Sequence, residues 1–209
     1  MERPIFKAVG TKLNEIDTPA LVVDLDAFES NVKIVHSYFI NKKAKIRPFV
    51  GVHRCPALAH IQLKFAGHNG GVAVGTYSQA ESFVDSGITD VLITGKVVTS
   101  QKIRSACSLA QRASVTVTVD NLANLKELSV AASGMKVAVS VLVEINSPSG
   151  FSGLDPGAPV LELVKIADES PGINFKGLIL SHSPTVSGAK SAEFIDSIQP
   201  LLDMKLLIE

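Results

Sequence analysis

Short apolar runs alternate with helix-like segments along almost the whole chain of 209 residues. The apolar runs have the length of single strands, whereas the segments between them carry apolar residues at intervals of three and four. This alternation predicts repeated strand–helix units and a parallel sheet. The predicted strands are 20–26, 45–50, 71–74, 90–94, 114–119, 136–145 and 175–182.

Helix start signals follow several of these runs. Asp26 with Glu29, and Ser78 with Glu81, have the spacing of a capping box, in which two side chains bind the first free backbone N–H groups of a helix. Asp120 is predicted to cap the helix that follows the fifth run. Two later helices are predicted over 158–169 and 188–204, the second interrupted by Pro200.

The order of elements favours a barrel over a doubly wound sheet. No GxGxxG motif follows the first predicted strand, so the usual mark of a dinucleotide-binding sheet is missing. A complete (β/α) barrel usually needs about 250 residues. With 209 residues, this chain is expected to form an incomplete barrel of the TIM type.

The composition narrows the possible classes of function. Twenty basic and 20 acidic residues give a net charge of zero, which argues against nucleic-acid or membrane-surface binding. No apolar run reaches the ~18 residues of a membrane span, and the opening residues lack the apolar core of a signal peptide. We expect a cytoplasmic protein. Cys55 and Cys107 are too few for a disulfide framework or a structural zinc site.

The stretch RPFVGVHRCP, residues 47–56, is predicted to form the rim of an active site. It follows a predicted strand, and parallel α/β proteins place functional residues at the C-terminal ends of their strands. It carries His53, Arg54 and Cys55 just before Pro56 begins a helix. Cys55, near a helix N-terminus, is the better candidate for a reactive thiol.

Six segments together resemble the D-threonine aldolase and D-serine dehydratase-like proteins, which belong to the alanine-racemase-like pyridoxal-phosphate enzymes. In chain order they are TPALVVDLDAFESNV (18–32), IRPFVGVHRCPALAHIQL (46–63), VAVGTYSQAESFVDSGITDVLIT (72–94), VTVTVDNLANLKEL (115–128), VLVEINSPSGFSGL (141–154) and GLILSHSP (177–184). The resemblance implies an N-terminal extension over 1–16 and a partial barrel of the alanine racemase N-terminal kind over 17–209. Run 20–26 would then serve a separate β-domain.

The same resemblance implies that part of the family's architecture is missing. The last barrel strands and the C-terminal β-domain, which in the family supply much of the phosphate cradle, the dimer contacts and the divalent-metal ligands, have no counterpart in this sequence. A partner chain or a second copy is therefore expected to cover the open barrel. The expected small-molecule ligand is a D-amino acid.

The family's cofactor lysine falls on Gly51. A pyridoxal-phosphate enzyme of this kind needs that lysine amine to hold the cofactor and to move protons. In the family's Arg-Pro-His-x-Lys-Thr-His-Lys motif, Phe49 replaces the histidine and Val52 replaces the threonine. His53 is kept, and Arg54 stands for the last lysine.

Other positions of the implied site are altered as well. In the loop after the 136–145 run, Asn146, Pro148 and Phe151 replace the family's acid, a glycine and an arginine, and Ser181 stands in place of its tyrosine beside His182. The cofactor-binding positions implied by the resemblance are His53, Arg54, Asn146, Ser181 and His182, with no metal ligand assigned.

Several hypotheses follow for the function. The first is a lyase scaffold for D-amino acids that is inactive because Gly51 replaces the lysine. The second is an active lyase or racemase that uses Lys96, which follows run 90–94 at the same rim. The third is a non-catalytic binding or scaffold subunit, and the fourth is a fragment of a longer gene product. A metal or acid–base pair of His53 and His182, with Glu144, Asp120 or Cys55 added, is a further alternative.

Overall fold

A computed structural model of the protein describes residues 7–66, 70–146, 152–180 and 191–208. The strands are β1 (Val72–Val74), β2 (Asp90–Ile93), β3 (Ser114–Val119), β4 (Val139–Ile145) and β5 (Ile173–Leu180). The helices are α1 (Leu25–Phe39), α2 (Pro56–Ala66), α3 (Tyr77–Asp85), α4 (Ser100–Leu109), α5 (Leu122–Gly134), α6 (Ala158–Glu169) and α7 (Ser191–Ile208), with a short 3-10 turn at Leu13–Glu15.

The five strands form one sheet in the order β1-β2-β3-β4-β5, and every neighbouring pair is parallel. Each strand is followed by a helix, which is the connection that parallel neighbours require. The predicted α/β class and the parallel sheet are therefore confirmed. Because the strands share one direction, the ends of β1 to β4 and the segments that follow them lie along one edge of the sheet.

The two faces of the sheet differ in chemistry. The outer face packs against the helices and is built from aliphatic side chains that are at most 2% exposed: Val72, Val74, Val91, Ile93, Val115, Val117, Val119, Val139, Val141, Val143 and Ile145. Alternate residues point to the opposite, inner face, because successive strand side chains point to opposite sides. Thr94, Thr116, Thr118, Ser140 and Glu144 lie there beside Ala73, Leu92 and Leu142, so the inner face is more polar than the outer face.

The predicted strand over 20–26 is wrong. Residues 20–24 have no regular structure, and α1 begins at Leu25. Its cap is Asp24, whose Oδ1 accepts a hydrogen bond from the backbone N–H of Ala27 at 3.0 Å, and not Asp26 as predicted. Leu21 is 87% exposed. A β-branched run becomes a strand only when a neighbouring strand pairs with it, and the described residues offer none here.

The segment 45–50 is also not a regular strand. It makes a single parallel bridge between Phe49 and Ala73, with the Val50 N–H donating to the Ala73 carbonyl at 2.9 Å. Pro48 has no N–H, so the run cannot extend a hydrogen-bonded ladder. A paired Arg47 and Asp90, with Nη1 2.7 Å from Oδ1, fixes the start of the segment to β2.

Three predicted helix boundaries also need correction. Thr76, not Ser78, caps α3, and its side chain accepts from the backbone N–H of Gln79. Asn121, not Asp120, caps α5. Helix α7 continues through Pro200, although the proline was predicted to interrupt it. The predicted helix over 158–169 coincides with α6 and is confirmed.

Candidate functional site

The C-terminal ends of β2, β3 and β4 bring Lys96, Asp120 and Glu144 together. We call these three residues the charge cluster. The Lys96 Nζ lies 3.0 Å from the Asp120 Oδ2 and also forms an ion pair with the Glu144 Oε2. The Glu144 side chain is 1% exposed, whereas those of Lys96 and Asp120 are 23% and 25% exposed. One ammonium group therefore joins the ends of three neighbouring strands.

The strand register explains why these residues meet. Val119 of β3 pairs with Val143 of β4, so the next residues along, Asp120 and Glu144, are neighbours. Ile93 of β2 pairs with Val117 in the same way. Side chains alternate between the two faces of a strand. Lys96 lies three residues beyond Ile93, past a bend at Gly95, and its Nζ reaches both acids.

Residues 152 and 153 fold back onto the charge cluster. The Ser152 hydroxyl donates to the Glu144 Oε1 at 2.5 Å. The backbone N–H of Gly153 donates to the Asp120 Oδ2 at 3.3 Å. Each carboxylate thus receives hydrogen bonds both from Lys96 and from this returning segment, which supplies the compensation that buried charges require.

This geometry opposes a nucleophilic role for Lys96. An amine attacks a carbonyl carbon through its lone pair, and an ammonium group has none. The Lys96 nitrogen contacts a carboxylate oxygen of Asp120 and one of Glu144, as in an ion pair. Lys96 is placed at the rim, as the sequence predicted, but its nitrogen is engaged on both sides.

The second part of the rim is the segment 49–55, which we call the 49–55 loop. Gly51 lies at its centre and is buried. A Cβ atom added to Gly51 would lie 3.0 Å from the Cε1 and Cζ atoms of Phe49 and 3.2 Å from the Oε1 of Gln79. The position implied for the cofactor lysine thus has no amine, and a side chain there would require Phe49 and Gln79 to shift by a few tenths of an ångström. The loop does not fit a covalently held pyridoxal phosphate.

His53 binds the loop to α2. Its Nδ1 accepts a hydrogen bond from the backbone N–H of Cys55 at 3.1 Å, and its Nε2 lies 3.0 Å from the Oε1 of Gln62. Because a backbone N–H occupies Nδ1, the ring proton belongs on Nε2, where it can be donated to Gln62. The ring also meets Phe28 edge-on, with 6.4 Å between centroids. Both ring nitrogens are therefore used within the protein.

Arg54 and Asn146 also have internal partners. Arg54 adopts a left-handed backbone conformation with φ of 53°, and its Nε donates to the Gly51 carbonyl at 3.3 Å. The Nδ2 of Asn146 donates to the Oδ1 of Asp155 at 3.0 Å, while its own Oδ1 is buried and has no hydrogen-bond partner among the described residues. Of the implied cofactor positions, Ser181 and His182 lie outside the described residues, and so does any pairing of His53 with His182.

The described residues contain no group of three or more His, Cys, Asp or Glu side chains that could hold a metal ion. None of the helices in the described ranges is long and apolar enough to cross a membrane. The two thiols differ: Cys107 is fully buried and Cys55 only partly so. Burial raises the pKa of the Cys107 thiol.

Sequence reasoning missed three contributors to the rim. It did not predict the Phe49 ring beside Gly51, the Gln79 amide, or the Ser152 hydroxyl that binds Glu144. It also did not pair Lys96 with two acids, although the position of all three residues at the ends of neighbouring strands indicated that they could meet. No such signal exists for Gln79, which reaches Gly51 from α3, or for the turn that places the Phe49 ring against a glycine two residues later.

The chain matches the family model for the alanine racemase N-terminal domain over residues 23–202. It is 35% identical over 173 residues to a D-threonine aldolase of Arthrobacter sp, covering 83% of this chain and 45% of that protein. It is 34% identical over 170 residues to a 3-hydroxy-D-aspartate aldolase of Paracoccus denitrificans, covering 81% and 44%. The chain thus spans less than half the length of these curated relatives.

Solved structures show the same architecture. The crystal structure of D-threonine aldolase from Filomicrobium marinum matches with a TM-score of 0.80 and 33% identity, covering 92% of this chain and 55% of that one. An alanine racemase from Clostridium difficile 630 matches with a TM-score of 0.73 at 15% identity, covering 87% and 48%. This second likeness concerns the fold alone. Coverage of about half of each neighbour agrees with the predicted incomplete barrel.

Proposed function

Because this chain belongs to the alanine racemase N-terminal domain family, as its resemblance predicted, we propose that it is a D-threonine aldolase-like and D-serine dehydratase-like lyase scaffold that forms no covalent link to pyridoxal phosphate. A D-amino acid is the proposed ligand class, since the relatives are named for D-threonine and for 3-hydroxy-D-aspartate. The observation that carries the proposal is Gly51, crowded by Phe49 and Gln79, at the position implied for the lysine.

The charge cluster supports the same conclusion from the other side of the rim. Pyridoxal phosphate, when bound, supplies an electron sink, and a lysine of the enzyme must hold it and carry protons. Gly51 can do neither. Lys96 is an amine at the rim, but Asp120 and Glu144 engage its nitrogen. Recruiting it would require breaking two ion pairs and orienting the cofactor from a different strand.

A labelling experiment tests this proposal. The protein is incubated with pyridoxal phosphate, reduced with borohydride and mapped by mass spectrometry. We expect Lys96 to be labelled no more than Lys102, an exposed lysine that serves as the internal reference for non-specific reaction. We also expect no release of glycine, pyruvate or glyoxylate from D-amino acids. A stable adduct at Lys96 together with product release would establish the active-enzyme alternative instead.

A second candidate, a non-catalytic binding subunit, is favoured by strand β5. Among the described strands β5 pairs only with β4, and a strand with a free edge is a ready template for another chain. We propose that a partner chain or a second copy covers this edge. Analytical sedimentation is expected to give a mass above that of the 22.1 kDa chain. A single species of monomer mass at every concentration would exclude the self-association form of this candidate.

A further inference from the structure

We infer that Phe49 and Gln79 fill the space that a side chain at residue 51 needs, so that the 49–55 loop is a closed packing arrangement and not only a site without its lysine. This inference rests on the proposed function, because it explains what would keep the loop from being reactivated by a single substitution. It makes Phe49 and Gln79 the residues that determine whether position 51 can hold a side chain with an amine.

The obstacle at Gly51 is steric and not conformational. Its φ lies outside the left-handed region, so its backbone is open to residues with a side chain. The Cβ of such a residue would lie 3.0 Å from two ring atoms of Phe49. Favourable contacts between carbon atoms lie at about 3.5–4.0 Å, so the ring must move by several tenths of an ångström. The Gln79 oxygen, at 3.2 Å, must move as well.

Gln79 is the less mobile of the two neighbours. It lies in the first turn of α3, and its Oε1 accepts a hydrogen bond from the backbone N–H of Gly75 at 3.0 Å. Moving the amide away would break the bond to this part-buried N–H, and losing such a partner costs more than an ordinary contact. Phe49 is 47% exposed, so its ring has solvent to move into. Phe49 is therefore the neighbour that decides how residue 51 is tolerated.

Three glycines provide a graded comparison within the same protein. A Cβ at Gly75 would lie 3.6 Å from the Gln79 Oε1 and 3.7 Å from the Phe49 Cζ, which is ordinary contact. A Cβ at Gly134, at the end of α5, would meet nothing within 4 Å. Neither has a φ in the left-handed region. The same Gly-to-Ala change thus meets a crowded environment at Gly51, ordinary contacts at Gly75 and open space at Gly134.

The first experiment measures melting temperatures of these variants. Gly134→Ala and Gly75→Ala are expected to keep or raise the melting temperature, because alanine restricts the unfolded chain. Gly51→Ala is expected to lower it by about 2–4 °C, the usual shift for 1 kcal/mol in a chain of this size. In a Phe49→Ala background, the loss caused by Gly51→Ala should become smaller, and the remainder reports the contact with Gln79. An equal loss in both backgrounds would overturn the inference.

The second experiment asks whether an amine can be housed once the ring is removed. Gly51→Lys is compared with the double variant Gly51→Lys/Phe49→Ala by pyridoxal-phosphate labelling. Condensation of the new amine with the aldehyde releases one water, and borohydride then reduces the carbon–nitrogen double bond. Labelling at position 51, normalised to Lys102, is expected to be several-fold higher in the double variant. Equal labelling of the two variants would contradict the inference.

These outcomes are separable from the fate of the proposed function. Labelling of wild-type Lys96 with product release would refute the proposed function, yet the melting series would still report the crowding at Gly51. Conversely, equal effects of Gly51→Ala with and without Phe49 would refute the crowding and leave the missing lysine as the sole cause. If Gly51→Lys prevents folding, the melting temperatures of the alanine variants still test whether Phe49 crowds position 51.

Discussion

The charge cluster and the 49–55 loop both lie at the C-terminal edge of the sheet, but different interactions hold them. The cluster lies at the ends of β2, β3 and β4, and the loop lies beside β1. In the cluster, a partly exposed Lys96 neutralises two acids, one of which, Glu144, is buried. In the loop, a glycine lies under an aromatic ring, and His53 links the backbone at Cys55 to the side chain of Gln62. One region is built on charge and the other on packing and neutral hydrogen bonds.

The difference shows that a position at the functional edge of a barrel does not by itself create a reactive group. Lys96 is at the edge, but the strand register that brings it there also brings its two acids. Gly51 is at the edge, and its neighbours have closed over it. The comparison also ranks the two regions by stability, since unpairing a buried charge costs more than losing a neutral contact.

Removal of the cluster's cation is expected to have the largest effect. Lys96→Met leaves Glu144 buried with fewer compensating donors and should lower the free energy of unfolding by about 3 kcal/mol. This is the lower end of the range for broken buried pairs, because Lys96 is 23% exposed and Ser152 still donates to Glu144. Urea unfolding followed by circular dichroism measures this loss as a lower unfolding midpoint, with an unchanged dependence of the unfolding free energy on urea concentration.

Two companions of this variant isolate the role of charge. Lys102→Met removes an exposed lysine and is expected to change stability by less than about 0.5 kcal/mol. Lys96→Met combined with Glu144→Gln removes cation and anion together, and should cost clearly less than the sum of the two single changes. If the double variant cost the full sum, the ion pair would contribute nothing, and the contrast between the two regions would fail.

The hydrogen bonds of the loop are expected to contribute less. His53→Ala removes the acceptor for the Cys55 N–H and the partner of Gln62, and should lower stability by about 1 kcal/mol. His60→Ala is the matched control, because His60 is an exposed histidine of α2 whose ring bonds the Ser86 carbonyl outside the loop. A loss at His53 as large as that at Lys96, measured in the same urea titration, would reverse the ranking.

The sequence predicted the sheet well because its signal is local. A run such as 114–119 alternates buried valines with threonines, and the helices between runs have apolar stripes, so class and order followed directly. The segments 20–26 and 45–50 failed for a physical reason. A strand needs a hydrogen-bonded partner. Residues 20–24 have no neighbouring strand among the described residues, and in 45–50 Pro48 lacks the N–H that a longer ladder would need.

The rim could be predicted in position but not in its contacts. Edge placement of Lys96 and Gly51 came from the strand order, and the period of two puts Asp120 and Glu144 on one face of the sheet, near the segment that carries Lys96. That pairing also explains the misplaced cap of α5. The Asp120 carboxylate binds Lys96 and the Gly153 N–H, and the neighbouring Asn121 caps the helix. Crowding by Phe49 and Gln79 depends on ångström-scale packing that no sequence pattern encodes.

The smallest expected effect concerns the reactivity of the two thiols, which tests whether the charge cluster and the 49–55 loop are independent. Cys107 is fully buried, and burial raises the pKa of its thiol, so it should react only after unfolding. Cys55, partly exposed in the loop, should be modified first by iodoacetamide in the native protein. Peptide mapping after short exposure identifies the modified thiol, and Cys55→Ser removes the fast reaction as the control.

The rate at which iodoacetamide modifies Cys55 then reports how readily the 49–55 loop opens in each variant. His53→Ala should raise it, because the Cys55 N–H loses its acceptor and the backbone there becomes freer to open. Lys96→Met should leave it within about twofold while the protein is native, since the cluster and the loop share no described hydrogen bond and distant sites act additively. A large acceleration by Lys96→Met, measured well below its unfolding midpoint, would mean that the charge cluster also holds the loop closed, and the two regions would then form one cooperative unit.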